Sequence, residues 1–280
     1  MTVERAYSVA RRTDGERLVW LLAAASIGAG CWWMLWTQRT YWNPLFFTGL
    51  WTSATVVVRT LSGDAPWPWR RQIALMLLSA PLWWWFEFVN EFVRNWQYHG
   101  ADLYNDFEYQ VFATLAFATV VPALHAAWFA AGRFYRSEPT ATDDSDHSRL
   151  FYGEIGVGIV AQLSVFLWPV HAYALVWVAP FLLFDGIVGL LGGVSLVREM
   201  RAQRWSLPMA VAVAGVGTGF FWEMWNFWAW PKWTYSVPIS IDAQLFEMPL
   251  PGYLGYVPFA WSVYQVVALA ERVVGRVRNS

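Results

Sequence analysis

Apolar runs separated by short polar turns outline this chain. Eight of them, at about 18–38, 43–60, 72–93, 109–132, 151–170, 173–197, 207–230 and 251–270, approach the ~17–25 mostly apolar residues that a helix needs to cross a bilayer. They predict an all-α integral membrane protein with about eight transmembrane helices. The second run is the most diluted, by Pro44, Thr48, Gly49 and Thr52-Ser53-Ala54-Thr55. The first continues through Cys31-Trp32-Trp33-Met34, past the ~7–15-residue core of a secretory signal, and is read as a span.

Composition agrees: 57% of the 280 residues are hydrophobic and 14% are charged, too apolar a balance for a water-soluble globule. Charge then orients the spans. Of nineteen basic residues, all but Arg39, Arg94 and Lys232 fall on the side of the two termini. The positive-inside rule makes that side cytoplasmic and requires an even number of crossings. The expected location is the plasma membrane, the inner membrane in a bacterium. Because the arginines are dispersed over several short loops, no nucleic-acid partner is expected. Membrane lipids and a hydrophobic small molecule are the expected partners, and the sequence leaves protein partners open. Cys31 is the only cysteine, which excludes an intrachain disulfide and a cysteine metal cluster.

One motif is written twice. Phe86-Glu87-Phe88-Val89-Asn90 and Trp222-Glu223-Met224-Trp225-Asn226 are 136 residues apart, and the same shift matches Trp32 with Trp168, Pro44 with Pro180, Trp69 with Trp205 and Val121-Pro122 with Val257-Pro258. Two parallel four-helix repeats, 1–136 and 150–280, follow from this spacing, related by a pseudo-two-fold axis along the membrane normal. The polar, acidic stretch 137–149 reads as a cytoplasmic linker. After each motif come Asn95-Trp96-Gln97-Tyr98 and Lys232-Trp233-Thr234-Tyr235, in outer loops placed to cover whatever lies beneath.

A carboxylate and an amide three residues apart share one helix face. In a helix entering near residue 72, Glu87 lies about 22 Å along the axis, in the outer third of the bilayer, and Glu223 reaches a similar depth. Ionisable groups there are costly unless they face a partner, a bundle interior or water. Glu87, Glu223, Asn90 and Asn226 are therefore candidate catalytic or site residues. The competing role is a helix clamp through hydrogen bonds. Glu108 and Glu247 open the returning segments. With Glu87 and Glu223 they form a candidate all-oxygen set for a hard divalent cation such as Ca²⁺, Mg²⁺ or Mn²⁺. Acids at a helix start are equally explained by the helix dipole. No phosphate loop, zinc-protease helix or nucleophile elbow is present, so no cofactor is identifiable.

Where the halves differ, Glu91, Asp185 and His125 replace or are replaced by uncharged residues. Glu91 and Asp185 join the catalytic candidates, and His125 is either a proton relay or a packing residue. The chain holds 22 Trp, 19 Phe and 12 Tyr, more than interfacial belts require. Trp85, Trp96, Tyr98, Trp222, Trp233 and Tyr235, clustered near the Glu/Asn motifs, predict an aromatic-lined pocket for an isoprenoid, a polyene or a lipid headgroup with a quaternary amine.

The strings Phe221-Trp222-Glu223-Met224-Trp225-Asn226, Trp230-Pro231-Lys232-Trp233-Thr234-Tyr235 and Phe246-Glu247-Met248-Pro249-Leu250-Pro251-Gly252-Tyr253-Leu254-Gly255-Tyr256 resemble a family of Trp-rich, internally duplicated bacterial multi-pass membrane proteins. The resemblance implies a polytopic fold and carries over no activity. Three functions stay open: a site for a hydrophobic, lipid or isoprenoid ligand with Glu87 or Glu223 as acid or base, a proton- or cation-coupled transporter or channel, and a lipid- or pigment-binding subunit of a membrane complex.

Overall fold

The computed structural model describes residues 14–62, 69–134, 147–238 and 243–279. It is a helical assembly: α1 (Asp14–Thr37), α2 (Asn43–Leu61), α3 (Trp69–Val93), α4 (Asp106–Phe117), α5 (Val120–Ala131), α6 (Ser148–Leu167), α7 (Pro169–Ala172), α8 (Leu175–Leu190), α9 (Leu196–Arg201), α10 (Ser206–Phe227) and α11 (Tyr256–Asn279). Four short strands, β1 (Trp96–His99), β2 (Lys232–Tyr235), β3 (Gln244–Leu245) and β4 (Met248–Pro249), form two two-stranded ribbons. Helix occupies most of every apolar run. Most of the predicted linker lies outside the described residues, as do Arg5, Arg11, Arg12 and Arg136.

Among the described residues, five helical segments are long and apolar enough to cross a membrane: Asp14–Thr37, Trp69–Val93, Asp106–Ala131, Ser148–Leu167 and Ser206–Phe227. The chain thus has the character of an all-α membrane protein. Its exposed surface fits that solvent, because α1 presents Leu22, Ile27 and Trp33 outward and α6 presents Val157, Val160 and Leu163. The predicted run 173–197 gives a shorter helix, since Gly192, at φ +74°, turns the chain after α8. α2 carries the diluting hydroxyls, yet Thr48, Thr52 and Thr55 each donate to the carbonyl four residues earlier. Their polarity is met inside the helix.

The predicted span 109–132 is broken at Ala118 and Thr119. Pro122 has no N–H to give to the carbonyl at 118, and its ring crowds that carbonyl. Ser79 of α3 serves the neighbouring pair of groups at the break: its hydroxyl donates to Phe117 O at 2.5 Å and accepts from Val121 N at 3.0 Å. Irregular backbone survives in an apolar medium only where such a partner reaches it. α4, ahead of the break, presents Tyr109, Phe112, Ala116 and Phe117 to an interior space.

α6 lies along α8 and α1 along α2, while α8 and α10 both pack on α11. The α6–α8 approach is close, since a side chain at Gly186 would sit 2.7 Å from the Phe151 carbonyl. Small residues at such crossings let backbones meet where lipid supplies no hydrophobic drive. The core between helices is aromatic, with Trp51, Phe86, Trp96, Trp222, Trp225 and Phe259 at its centre.

Candidate functional site

The duplicated motif resolves into two equivalent clamps. Asn90 donates its amide to Trp96 O at 2.8 Å and accepts from Trp96 N at 3.2 Å. Asn226 does the same to Trp233, at 2.7 and 2.9 Å. A primary amide is shaped like a peptide group, so each Asn holds a loop backbone as a neighbouring strand would. Spacing of three then places a carboxylate beside the side chains of the same strand. Glu87 Oε1 accepts from Tyr98 OH at 2.6 Å, Trp83 Nε1 at 2.7 Å and Trp96 Nε1 at 3.2 Å. Glu223 Oε1 accepts from Tyr235 OH at 2.6 Å and Tyr256 OH at 2.5 Å.

The two clamped segments pair with each other. β1 and β2 are antiparallel, with Trp96 opposite Tyr235, Gln97 opposite Thr234 and Tyr98 opposite Trp233. This register maps onto itself when Trp96 is exchanged for Trp233 and Tyr98 for Tyr235. One difference between the copies is compensated. Where the first has Trp83 the second has Gly219, and any side chain there would strike the Tyr256 ring at 2.4 Å. Gly219 makes room for Tyr256, which supplies to Glu223 the hydrogen bond that Trp83 supplies to Glu87.

Beneath the ribbon lies a cavity of about 420 Å³. Its walls include Trp83, Trp96, Trp177, Trp222 and Phe259 from the core, Tyr109, Phe112 and Ala116 from α4, and Tyr98, Trp233, Tyr235 and Tyr256 from the clamps. Trp83 and Trp222, one from each half, stack with centroids 5.2 Å apart at 28°. Trp177 stacks on both Phe86, at 5.3 Å, and Trp96, at 5.7 Å. These contacts fix large flat side chains that have few rotamers to lose.

Five of the six predicted ligand-binding aromatics line this space. The exception is Trp85, which is partly exposed and packs on Phe88 and Phe166. Glu87 and Glu223 are not themselves part of the wall. Trp83, Tyr98, Tyr235 and Tyr256, which do line the cavity, donate to these carboxylates from the wall. Burial first, and then the adjacent carboxylate, holds the Tyr98 and Tyr235 hydroxyls well above their usual pKa of 10. They remain donors at any physiological pH.

The other candidates are dispersed. Glu91 is on the exposed side of α3. Fully buried Asp185 is about 12 Å farther along α8 than Trp177, at ~1.5 Å per residue. There it accepts from Ser195 OH at 2.5 Å, Leu196 N at 2.6 Å and Gln265 Nε2 at 2.5 Å, fixing the turn into α9. His125 faces Arg71 at 3.3 Å, and Arg71 also pairs with Glu271 at 2.6 Å. The four carboxylates expected to share a cation each have separate partners. Glu108 closes a capping box with Asn105, accepting from Asn105 N at 3.0 Å, and Glu247 pairs with Lys232. Among the described residues no group of three or more His, Cys, Asp or Glu is placed to hold a metal ion.

Trp83, Trp177, Tyr109 and Tyr256 are wall residues beyond the predicted set. Trp83 is marked in the sequence by the Trp83-Trp84-Trp85 run before Glu87, and Tyr256 by the replacement of Trp83 by Gly219 at the 136-residue spacing. No protein-family model, curated protein or solved structure matches this chain.

Proposed function

We propose that this is a membrane protein that takes an elongated hydrophobic molecule, a lipid or isoprenoid, into the aromatic cavity beneath the β1–β2 ribbon. The observation that carries the reading is the cavity itself: about 420 Å³, within the range of ligand sites, with walls that are aromatic and apolar. Both Glu–Asn motifs serve to pin its cover. The carboxylates act behind the wall, through the tyrosines they hold.

The same reading takes the chain as eight spans in two parallel repeats with cytoplasmic termini. The self-symmetric ribbon register supports the duplication, and the internally satisfied threonines of α2 support its membrane burial. The cavity then opens toward the outer side, under the loops that carry few basic residues.

Filling the space tests the proposal. Ala116→Trp adds a large side chain at a wall position on α4. Wild-type protein in nanodiscs should change its tryptophan fluorescence saturably on titration with a polyisoprenoid alcohol. Ala116→Trp should keep its helical circular dichroism and lose the saturable change. Equal binding by both proteins would place the ligand elsewhere and remove the proposal.

A further inference from the structure

Glu87 and Glu223 have an unusual partner set. Every hydrogen bond they receive comes from a neutral tryptophan or tyrosine, and neither has a Lys, Arg or His in ion-pair contact among the described residues. Glu223 is fully buried, and its Oε2 is a buried atom with no hydrogen-bond partner. Lys232, the one lysine on the cavity wall, is already paired with Glu247. A buried carboxylate without a counter-charge is held neutral by a proton or balanced by a cation. Both acids lie directly behind a wall of Trp and Tyr rings, whose faces attract cations.

From this we infer that the cavity selects an organic cation, a hydrophobic molecule with a quaternary ammonium or similar head, and that its entry releases a proton from the Glu87 and Glu223 pair. The inference rests on the cavity being a ligand site and adds the charge of the ligand. The exchange balances: one positive head group enters, one O–H bond of a carboxylic acid breaks, and the proton leaves to water. Glu87 is faced by Glu91 on its own helix, Tyr98 on β1 and Tyr109 on α4. Glu223 is faced by Tyr235 on β2, Tyr256 on α11, Tyr253 in the 3-10 turn Leu250–Gly255, and Glu247. The phenols are neutral donors, so the charge added around the pair comes from Glu91 and Glu247, the latter paired with Lys232, and neither acid of the pair gains a cation of its own among the described residues.

The test uses two probes of nearly equal shape. Benzyltrimethylammonium and neopentylbenzene differ by one atom and one charge. In nanodiscs, wild-type protein should bind the cation at least about tenfold more tightly, a difference of about 1.4 kcal/mol. A pH indicator in weak buffer should report proton release with the cation alone. Glu87→Gln and Glu223→Gln together should abolish the release and the preference while neopentylbenzene still binds, which also shows that the variant is folded. Glu223→Asp should retain the release.

Equal affinity for the two probes would overturn the inference and leave the cavity as a neutral-ligand site. Binding of neither probe by protein that still shows the saturable polyisoprenoid response would overturn the inference alone, and loss of that response as well would overturn both readings. A cation preference that survives the double glutamine variant would assign selectivity to the rings and remove the carboxylates' role.

Discussion

Replacing Asn226 with Ala should loosen the cover of the cavity without unfolding the bundle. The amide is fully buried and satisfies two backbone groups of Trp233, the N–H and the C=O, at 2.9 and 2.7 Å. Removing it leaves both without their partner. Each buried polar group stranded in this way costs about 1–3 kcal/mol, so the ribbon should lose about 2–6 kcal/mol. Even 2 kcal/mol corresponds to a ~30-fold change in a local opening equilibrium. Hydrogen exchange followed by mass spectrometry on peptides covering β1 and β2 should show that acceleration, with the α6–α8 peptides unchanged. The equivalent Asn90→Ala should have a smaller effect, because Asn90 is only half-buried and its bond from Trp96 N is 3.2 Å. Protection of β2 equal to wild type in Asn226→Ala, or a larger effect from Asn90→Ala, would refute the clamp.

Three further outcomes follow from particular contacts. Gly219→Ala should displace Tyr256 and destabilise the protein by about 1–3 kcal/mol, the usual cost of overpacking, seen as a lower thermal midpoint in detergent. Asp185→Ala should also lower that midpoint, because it strands Ser195, Leu196 and Gln265, yet probe binding in the cavity should be unchanged; loss of binding by a folded variant would restore Asp185 to the site. Tyr98 and Tyr235 have folded pKa values raised above the usual 10, so their contribution to stability is complete below pH 10 and is lost as pH rises through the higher folded values. Tyrosinate absorbance from these two should therefore appear only well above pH 10, or together with unfolding, in a comparison with Tyr98→Phe and Tyr235→Phe.

Much of this architecture is legible from residue order, because hydrophobic periodicity and proline act locally. The apolar runs become helices, and the Glu–Asn spacing correctly puts two polar groups on one face. What periodicity cannot convey is what that face meets. Asn90 and Asn226 turned out to bind loop backbone, an interaction written nowhere in their neighbours. The carboxylates sit behind the wall because Tyr98, Tyr235 and Tyr256 arrive from other elements. Glu108 illustrates the opposite case: a capping box is a short-range pattern, visible in Asn105-Asp106-Phe107-Glu108, and that bland explanation matches the contacts. Asp185, a catalytic candidate by its sequence context, is held by Ser195 and Leu196 after α8 and by Gln265 of α11, partners that residue order does not announce. The Ser79 contact at the α4–α5 break joins residues about forty positions apart, and only the proline half of it shows in the sequence.

The most direct test of the central claim is a high-resolution density map of the protein purified from its membrane. Elongated density between Trp83, Trp177 and Tyr109, under an ordered β1–β2 ribbon, is the expected result. A collapsed space with those side chains in mutual contact, or a continuous water-filled path leading from it to the arginine-rich face, would contradict it.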